Sequence, residues 1–294
     1  MMISIIVPVY NGEKTLNELY SRIIAELDGS YYFEVIFVYD CGKDKSWEII
    51  REMARSESDH IRAYCFDKNY GQHYATSFGL QKASGDYIFT LDEDSQHDPK
   101  FIPVMIKKME DENLDLIYGQ FSKLKQPFFR VIMSFFLRRV LCVMIPNLPH
   151  DYSAYRLIRK DLANKIIEKE NFSLFIDAEL DMLSRNHSNL LVEHFKRAKG
   201  TSSYTIIKLL KQSFDVLFKY SKLFRLFLNS FIIVILFWLT YSFYLLLLNP
   251  IQYLIVFVFL FISFLTIIWI RRNSLQRIHG KQTPKVVEQI NLGK

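Results

Sequence analysis

Two apolar segments near the end of the chain, Leu226 to Leu248 and Ile251 to Ile270, carry no charged side chain and run for about 20 residues each. As helices they are long enough to cross roughly 30 Å of hydrocarbon. Asn249 and Pro250 supply a turn between them, and basic residues flank only the outer ends: Lys219, Lys222 and Arg225 before, Arg271, Arg272 and Arg277 after. Positive flanks stay on the cytoplasmic side, so the pattern predicts a hairpin with both ends in the cytoplasm and its turn outside. Ahead of it, Tyr204 to Arg225 sets Ile206, Leu210, Phe214, Leu217 and Phe224 on one face and Lys208, Lys211, Lys219 and Lys222 elsewhere. That spacing predicts an amphipathic helix lying along the bilayer surface. A hairpin with so little polar lining reads as an anchor, and its apolar faces invite self-association into a homo-oligomer.

The 294 residues include 37 Lys and Arg against 31 Asp and Glu, a net charge of +6, while half the chain is apolar. This balance suits a globular domain held at an anionic membrane surface. No Lys/Arg-rich arm is present, so nucleic acid is not an expected partner. Cys41, Cys65 and Cys142 sit in strand-like or apolar runs with no C-x-x-C spacing, which argues for reduced core residues over a disulfide framework or a zinc site. The first residues read as a strand, not as a charged n-region and an h-region, so no cleaved signal is expected and the globular part should stay in the cytoplasm.

From the amino end, a buried parallel strand is predicted over Ile3 to Val9, ended by Tyr10-Asn11-Gly12. A helix entered at Thr15 follows, with Leu16, Leu19, Ile23 and Leu27 at helical spacing. The pattern then repeats: strand Phe33 to Val38, helix Ser46 to Met53, strand Ile61 to Phe66, helix His73 to Ala83, strand Tyr87 to Leu91. Such alternation means a doubly wound α/β sheet, whose ligands bind beyond the carboxyl ends of the strands, where Asp40 and Asp92 fall. A dinucleotide-binding domain should show G-x-G-x-x-G after the first strand; this chain has Val9-Tyr10-Asn11-Gly12-Glu13-Lys14, and it has no Walker A loop.

A diphosphate must then be held otherwise, and the fourth strand offers the means. It runs into Asp92-Glu93-Asp94-Ser95-Gln96, where alternation along an extended chain turns Asp92, Asp94 and Gln96 to one side. Three hard oxygen donors there suit Mg2+ or Mn2+ carrying a nucleotide diphosphate; an acidic turn without metal is the competing reading. Further on, Phe128 to Met144 holds Arg130, Arg138 and Arg139, too much charge for a span, and predicts an interfacial helix. Phe175 to Leu180 begins a helix with acids in its first turn.

Ile6-Val7-Pro8-Val9-Tyr10-Asn11, Lys68-Asn69-Tyr70-Gly71-Gln72 with Gly79 and Ala83-Ser84-Gly85-Asp86, and the D-x-D-x-Q of Asp92, Asp94 and Gln96 together resemble the family-2 inverting glycosyltransferases of GT-A fold. The likeness runs from Ile5 to about Arg272, and it is to the polyprenyl-phosphate branch that includes dolichyl-phosphate mannose synthase and undecaprenyl-phosphate glycosyltransferases. It implies that Pro8, Tyr10, Asn11, Asp40 and Asp92 line the nucleotide pocket and that Asp92, Asp94 and Gln96 hold the metal. It also implies that Arg130, Asp151, Arg156 and Arg197 act with Asp94 at the reaction centre, the arginines on phosphate and Asp151 as an assisting acid. One departure is visible: the family's paired acids at the end of the second strand read Tyr39-Asp40 here, followed by Cys41-Gly42.

The expected organisation is a GT-A nucleotide-sugar-binding domain over residues 1–203, a juxtamembrane helix over 204–225, two transmembrane helices over 226–270 and a basic cytoplasmic tail over 271–294. The expected partners are a nucleotide-sugar donor, a polyprenyl phosphate acceptor and membrane lipids. A transferase acting on a sugar already attached to lipid diphosphate shares nearly every feature and is the main alternative. A processive polysaccharide synthase would show Q-x-x-R-W and more spans, a setting that Trp47, Trp238 and Trp269 lack.

Overall fold

The computed structural model describes residues 1–56, 59–94, 98–121, 137, 139–145, 148, 152–168, 175–192, 206–279 and 283–290. These fall into two compact units, one of residues 1–138, 147–203 and 282–294, the other of 139–146 and 204–281.

The first unit is built on an eight-stranded sheet. Its elements are β1 (Met2–Val9), α1 (Leu16–Leu27), β2 (Tyr32–Tyr39), α2 (Ser46–Ser56), β3 (Ile61–Phe66), α3 (Gln72–Lys82), β4 (Tyr87–Thr90), α4 (Ile102–Asp111), β5 (Leu116–Phe121), β6 (Arg156–Arg159), α5 (Lys160–Ile167), α6 (Ile176–Leu183), β7 (His187–Val192) and, from the end of the chain, β8 (Val286–Ile290). The spatial order is β7-β5-β6-β4-β1-β2-β3-β8. The β1 to β4 block is parallel, as the alternation predicts, whereas β6 runs antiparallel to β4 and β5, and β8 antiparallel to β3. The near-continuous apolar runs follow from burial on both faces: Ile5 and Val35 point into one core layer, Ile6 and Ile36 into the other.

Pro8 is buried in the middle of this sheet, where a missing N–H would ordinarily cost a ladder bond. Leu91 N donates to Ile6 O, so the even-numbered residues of β1 face β4, and β4 ends at Thr90 opposite Ile6. Pro8 therefore lies past the end of that neighbour. Gly79 lets α3 settle directly on β1, since a Cβ there would come within 2.4 Å of Ile6 Cγ2.

At the amino ends of the strands, Glu34 is fully buried and bonded on both oxygens, by Ser4 Oγ (2.5 Å), Ser84 N (2.8 Å) and Ser84 Oγ (2.7 Å) on one and by Arg62 Nη1 (2.8 Å) on the other. Burial alone would raise this carboxyl; the Ser4, Arg62 and Ser84 bonds outweigh it and hold it below the ordinary carboxylate range. The Ala83-Ser84-Gly85-Asp86 motif is thereby a structural latch, with Asp86 Oδ2 accepting from Met2 N at 2.8 Å.

The tail expected over 271–294 is corrected in part. Val286 to Ile290 form β8, because their alternating side chains and open backbone complete the otherwise bare edge of β3.

The second unit contains α7 (Ile206–Tyr220), α8 (Lys222–Leu248) and α9 (Pro250–His279). The helix expected over 204–225 is broken at Ser221, whose Oγ accepts from Phe224 N at 3.0 Å as the N-cap of α8. Arg225 Nη1 reaches back to the carbonyls of Phe218 (3.0 Å) and Lys219 (2.7 Å) and satisfies the end of α7. Asp215 of α7, almost fully buried, accepts from the Ser274 hydroxyl of α9. Two helices, Lys222–Leu248 and Tyr253–Gln276, are long and apolar enough to cross a membrane.

Candidate active site

The carboxyl ends of β1, β2, β3 and β4 come together, and a mesh of short hydrogen bonds ties their loops. Asn11 leaves β1 with φ +60° and Cys41 leaves β2 with φ +49°, two non-glycine residues in the left-handed region, where strain is tolerated when the surroundings enforce it. The enforcing bonds run between the two loops. Lys43 N donates to Asn11 Oδ1 (2.7 Å), Glu13 N to Asp44 Oδ2 (2.9 Å) and Gly12 N to Ser46 Oγ (2.9 Å). Asn11 is exposed and Tyr10 half-buried beside it.

Asp40 does something other than what the sequence suggests. It is 2 % exposed, and its carboxylate accepts from Asn69 Nδ2 (2.8 Å), Tyr70 N (2.7 Å) and Gly71 N (2.7 Å). These bonds shape the loop between β3 and α3, in which Gly71 has φ +103°, a conformation that glycine adopts without strain. Asp40 is thus a loop-holding residue and not an open contact for a base. Tyr39, standing where the family has an acid, is buried and stacks on Trp47 with ring centroids 6.0 Å apart.

The loop delivers Gln72, the first residue of α3, whose Nε2 donates to Asp92 Oδ1 at 2.6 Å. The chain does not stay extended past Thr90; it bends in a turn at Glu93 and Asp94. Alternation therefore does not carry beyond the strand. Asp92 is half-buried at the tip and Asp94 is 9 % exposed. Gln96 lies outside the described residues, as do Arg130, Asp151 and Arg197. Among the described residues no three Asp, Glu, His or Cys gather as a metal cage. The donor set of Asp92 and Asp94 is hard oxygen, which fits a Mg2+ or Mn2+ that takes its remaining ligands from phosphate and water.

Arg156 also differs from expectation. It is 2 % exposed, its Nε donates to Thr90 Oγ1 (3.0 Å), and its Nη1 pairs with the carboxylate of Asp177 in the first turn of α6. It stands opposite Thr90 of β4 and Tyr118 of β5, so its bonds in this structure join the end of β4 to α6. His73, one residue along from Gln72, packs edge-on to Phe175 with centroids 5.3 Å apart. Burial pushes its pKa down to about 4 against the opposing pull of Asp177, so the ring is neutral at pH 7.

The sequence reading did not assign roles to Gln72, His73, Asp44 or Asp177. For Gln72 a signal existed, since it closes the Lys68 to Gln72 motif; for Asp177 the first-turn position suggested helix capping and hid the ion pair.

The mixed sheet, with acids at the tip of its fourth strand, has the GT-A fold, as comparison with solved structures shows. The fold is similar to that of TarS from S. aureus in complex with UDP-GlcNAc (TM-score 0.52, 16% identity, 74% of this chain and 65% of that one). It is also similar to glucosyl-3-phosphoglycerate synthase from Mycobacterium tuberculosis in complex with Mn2+, UDP-glucose and phosphoglyceric acid (TM-score 0.50, 16% identity, 74% and 77%). The family model for glycosyl transferase family 2 matches residues 4–167, more than half of the chain, and the chain belongs to that family. The enzyme class read from the sequence, glycosyltransferase, is that of the family.

Among curated relatives, the undecaprenyl-phosphate 4-deoxy-4-formamido-L-arabinose transferase of Proteus mirabilis is 30% identical over 219 residues, 73% of this chain and 66% of that protein. The protein of the same description from Shewanella sediminis is 31% identical over 222 residues, 73% and 65%. The match thus spans just under two thirds of these relatives' length.

Proposed function

We propose that this protein transfers a sugar from a nucleotide-sugar to the phosphate of a polyprenyl phosphate held in the membrane. The observation that carries the reading is the joint presence, in one chain, of a family-2 sheet with Asp92 and Asp94 at the tip of β4 and of two apolar helices after it. Its similarity to undecaprenyl-phosphate sugar transferases supports the same acceptor class.

In a single in-line displacement an oxygen of the acceptor phosphate forms a bond to the anomeric carbon while the bond from that carbon to the diphosphate oxygen breaks. The nucleoside diphosphate leaves and the configuration inverts. The nucleophile is already anionic at neutral pH, so no strong base is required. Asp92 and Asp94, with Gln96, would hold the divalent metal, which when bound offsets negative charge on the departing diphosphate. Gln72 fixes the orientation of Asp92, and Asp40 fixes the loop that presents Gln72. Arg130 and Arg197 are the cations proposed to bring those anions together, with Asp151 as an assisting acid. Basic flanks at Lys219, Lys222 and Arg225 and at Arg271, Arg272 and Arg277 support an integral membrane protein with the catalytic unit and both termini in the cytoplasm.

The test is to incubate membranes carrying the full chain with radiolabelled nucleotide-sugars and polyprenyl phosphate, with and without chelator. Label should enter the lipid fraction for one donor and stop on chelation. Label that appears only when a preformed lipid-diphosphate-linked glycan is supplied would assign the other acceptor class.

A further inference from the structure

β8 begins only seven residues after α9 ends, at Val286 against His279, and it reaches the side of the sheet on which the acidic tip is organised. Two separate contacts lead from it toward Asp40. At the carboxyl end of β3, Lys285 O accepts from Asp67 N at 3.0 Å. The hydroxyl of Tyr70 donates to Asp67 Oδ1 at 2.8 Å and lies 3.4 Å from Lys285 N, and Val286 packs against the same cluster as the Tyr70 ring. Tyr70 N and Gly71 N are the two amides that Asp40 holds, and Gln72, which meets Asp92, comes next.

The second contact starts at Glu288, opposite Cys65. Its Oε2 accepts from Trp47 Nε1 (2.9 Å) and Arg51 Nη2 (2.7 Å). These bonds, the Trp47 one foremost, hold the Glu288 carboxyl below its ordinary range. Trp47 in turn stacks on Tyr39, the last residue of β2, directly before Asp40.

Covering the edge of β3 would need backbone pairing alone. A carboxylate that gathers a tryptophan and an arginine from α2, and a strand start that is tied to Tyr70, go beyond that need, and both converge on the residue that shapes the loop before α3. We propose that β8 is a positioning element of the donor site: Glu288 and the Lys285 backbone seat the Asp67 to Gly71 loop so that Gln72 meets Asp92. The inference rests on reading Asp92 and Asp94 as the diphosphate site. Donor binding and the seating of the strand are then linked equilibria, each favouring the other.

The experiment uses the full chain in membranes or detergent, with Glu288→Ala, Glu288→Gln, Tyr70→Phe and Asp92→Asn. Donor KM, acceptor KM and kcat are measured together with calorimetric binding of UDP, GDP and CDP in Mn2+ and amide hydrogen exchange at residues 70 and 71. Glu288→Ala should raise the donor KM about three- to tenfold, the part of two lost, partly exposed charged hydrogen bonds that reaches the donor site through Trp47 and the loop. It should weaken nucleoside diphosphate binding equally, speed exchange at the two amides, and leave the acceptor KM alone. Glu288→Gln, which still accepts from Trp47, should recover most of the loss, and Tyr70→Phe should behave like a milder Glu288→Ala. Faster exchange along β3 and β8 with an unchanged donor KM would mean that the strand only covers an edge, and would overturn the proposal. If Asp92→Asn raises the donor KM while Glu288→Ala does not, the strand's role fails alone; if Asp92→Asn also keeps the wild-type KM, the donor-site reading fails and takes the proposal with it.

Discussion

The two ends of β2 each carry a buried carboxylate, and the two are put to different uses. Glu34, at the amino end, is bonded by two serines and an arginine whose own partners are all protein, and no residue around it has a left-handed backbone. Asp40, at the carboxyl end, accepts chiefly backbone amides of a single loop, and its neighbours Cys41 and Gly71 and, across the gap, Asn11 all have positive φ. The first arrangement joins strands that are already fixed. The second fixes the shape of a loop that leads from β3 to α3. One strand thus separates stability from ligand geometry by its polarity, as open α/β sheets do in general.

Exchanging the residue at each end sharpens this contrast. Glu34→Ala should cost about 3 kcal/mol in an unfolding titration, because it removes a buried acceptor from three serine donors and the ion-pair partner of Arg62, with donor KM near wild type. Its loss should also appear with pH: a carboxyl held low contributes stability above its unfolded value, and that contribution disappears as pH falls through the folded one. Asp40→Asn should lose on both counts, raising donor KM about tenfold with a smaller loss of about 1 to 2 kcal/mol in unfolding, since an amide cannot accept from both Tyr70 N and Gly71 N. A smaller effect is expected at Asp181 of α6, where burial pushes the carboxyl up to about 6 against a weaker pull from Arg185. Here the charged form is the penalised one, so the cost is absent near pH 4, grows as pH rises toward about 6 and is complete above it. Asp181→Asn should therefore stabilise the protein by about 1 to 3 kcal/mol at pH 7.5 and by almost nothing at pH 4, measured by thermal unfolding at both.

The parallel core was legible because strands buried on both faces spell continuous apolar runs, and the two long apolar helices because each contains an uninterrupted charge-free run. Three features were not. β8 is five residues long and follows a polar stretch, so nothing local separates it from a tail; only the bare edge of β3, distant in sequence, gives it a place. The break at Ser221 hides inside an amphipathic period that runs on through Phe224. Asp40 and Arg156 were found as charges near the site, yet their partners at Tyr70, Gly71 and Asp177 are set by topology, which spacing along the chain does not encode.

The account stands on the acidic tip of β4 as the seat of the donor's diphosphate, and calorimetric titration of UDP, GDP and CDP into the full-length protein and into Asp94→Asn, each with Mn2+ and with chelator, tests it most directly. One of the three nucleotides should bind the wild-type protein only when Mn2+ is present, and Asp94→Asn should bind it at least about a hundredfold more weakly while unfolding at the wild-type temperature. Equal binding by Asp94→Asn, or binding that chelator leaves untouched, would contradict it.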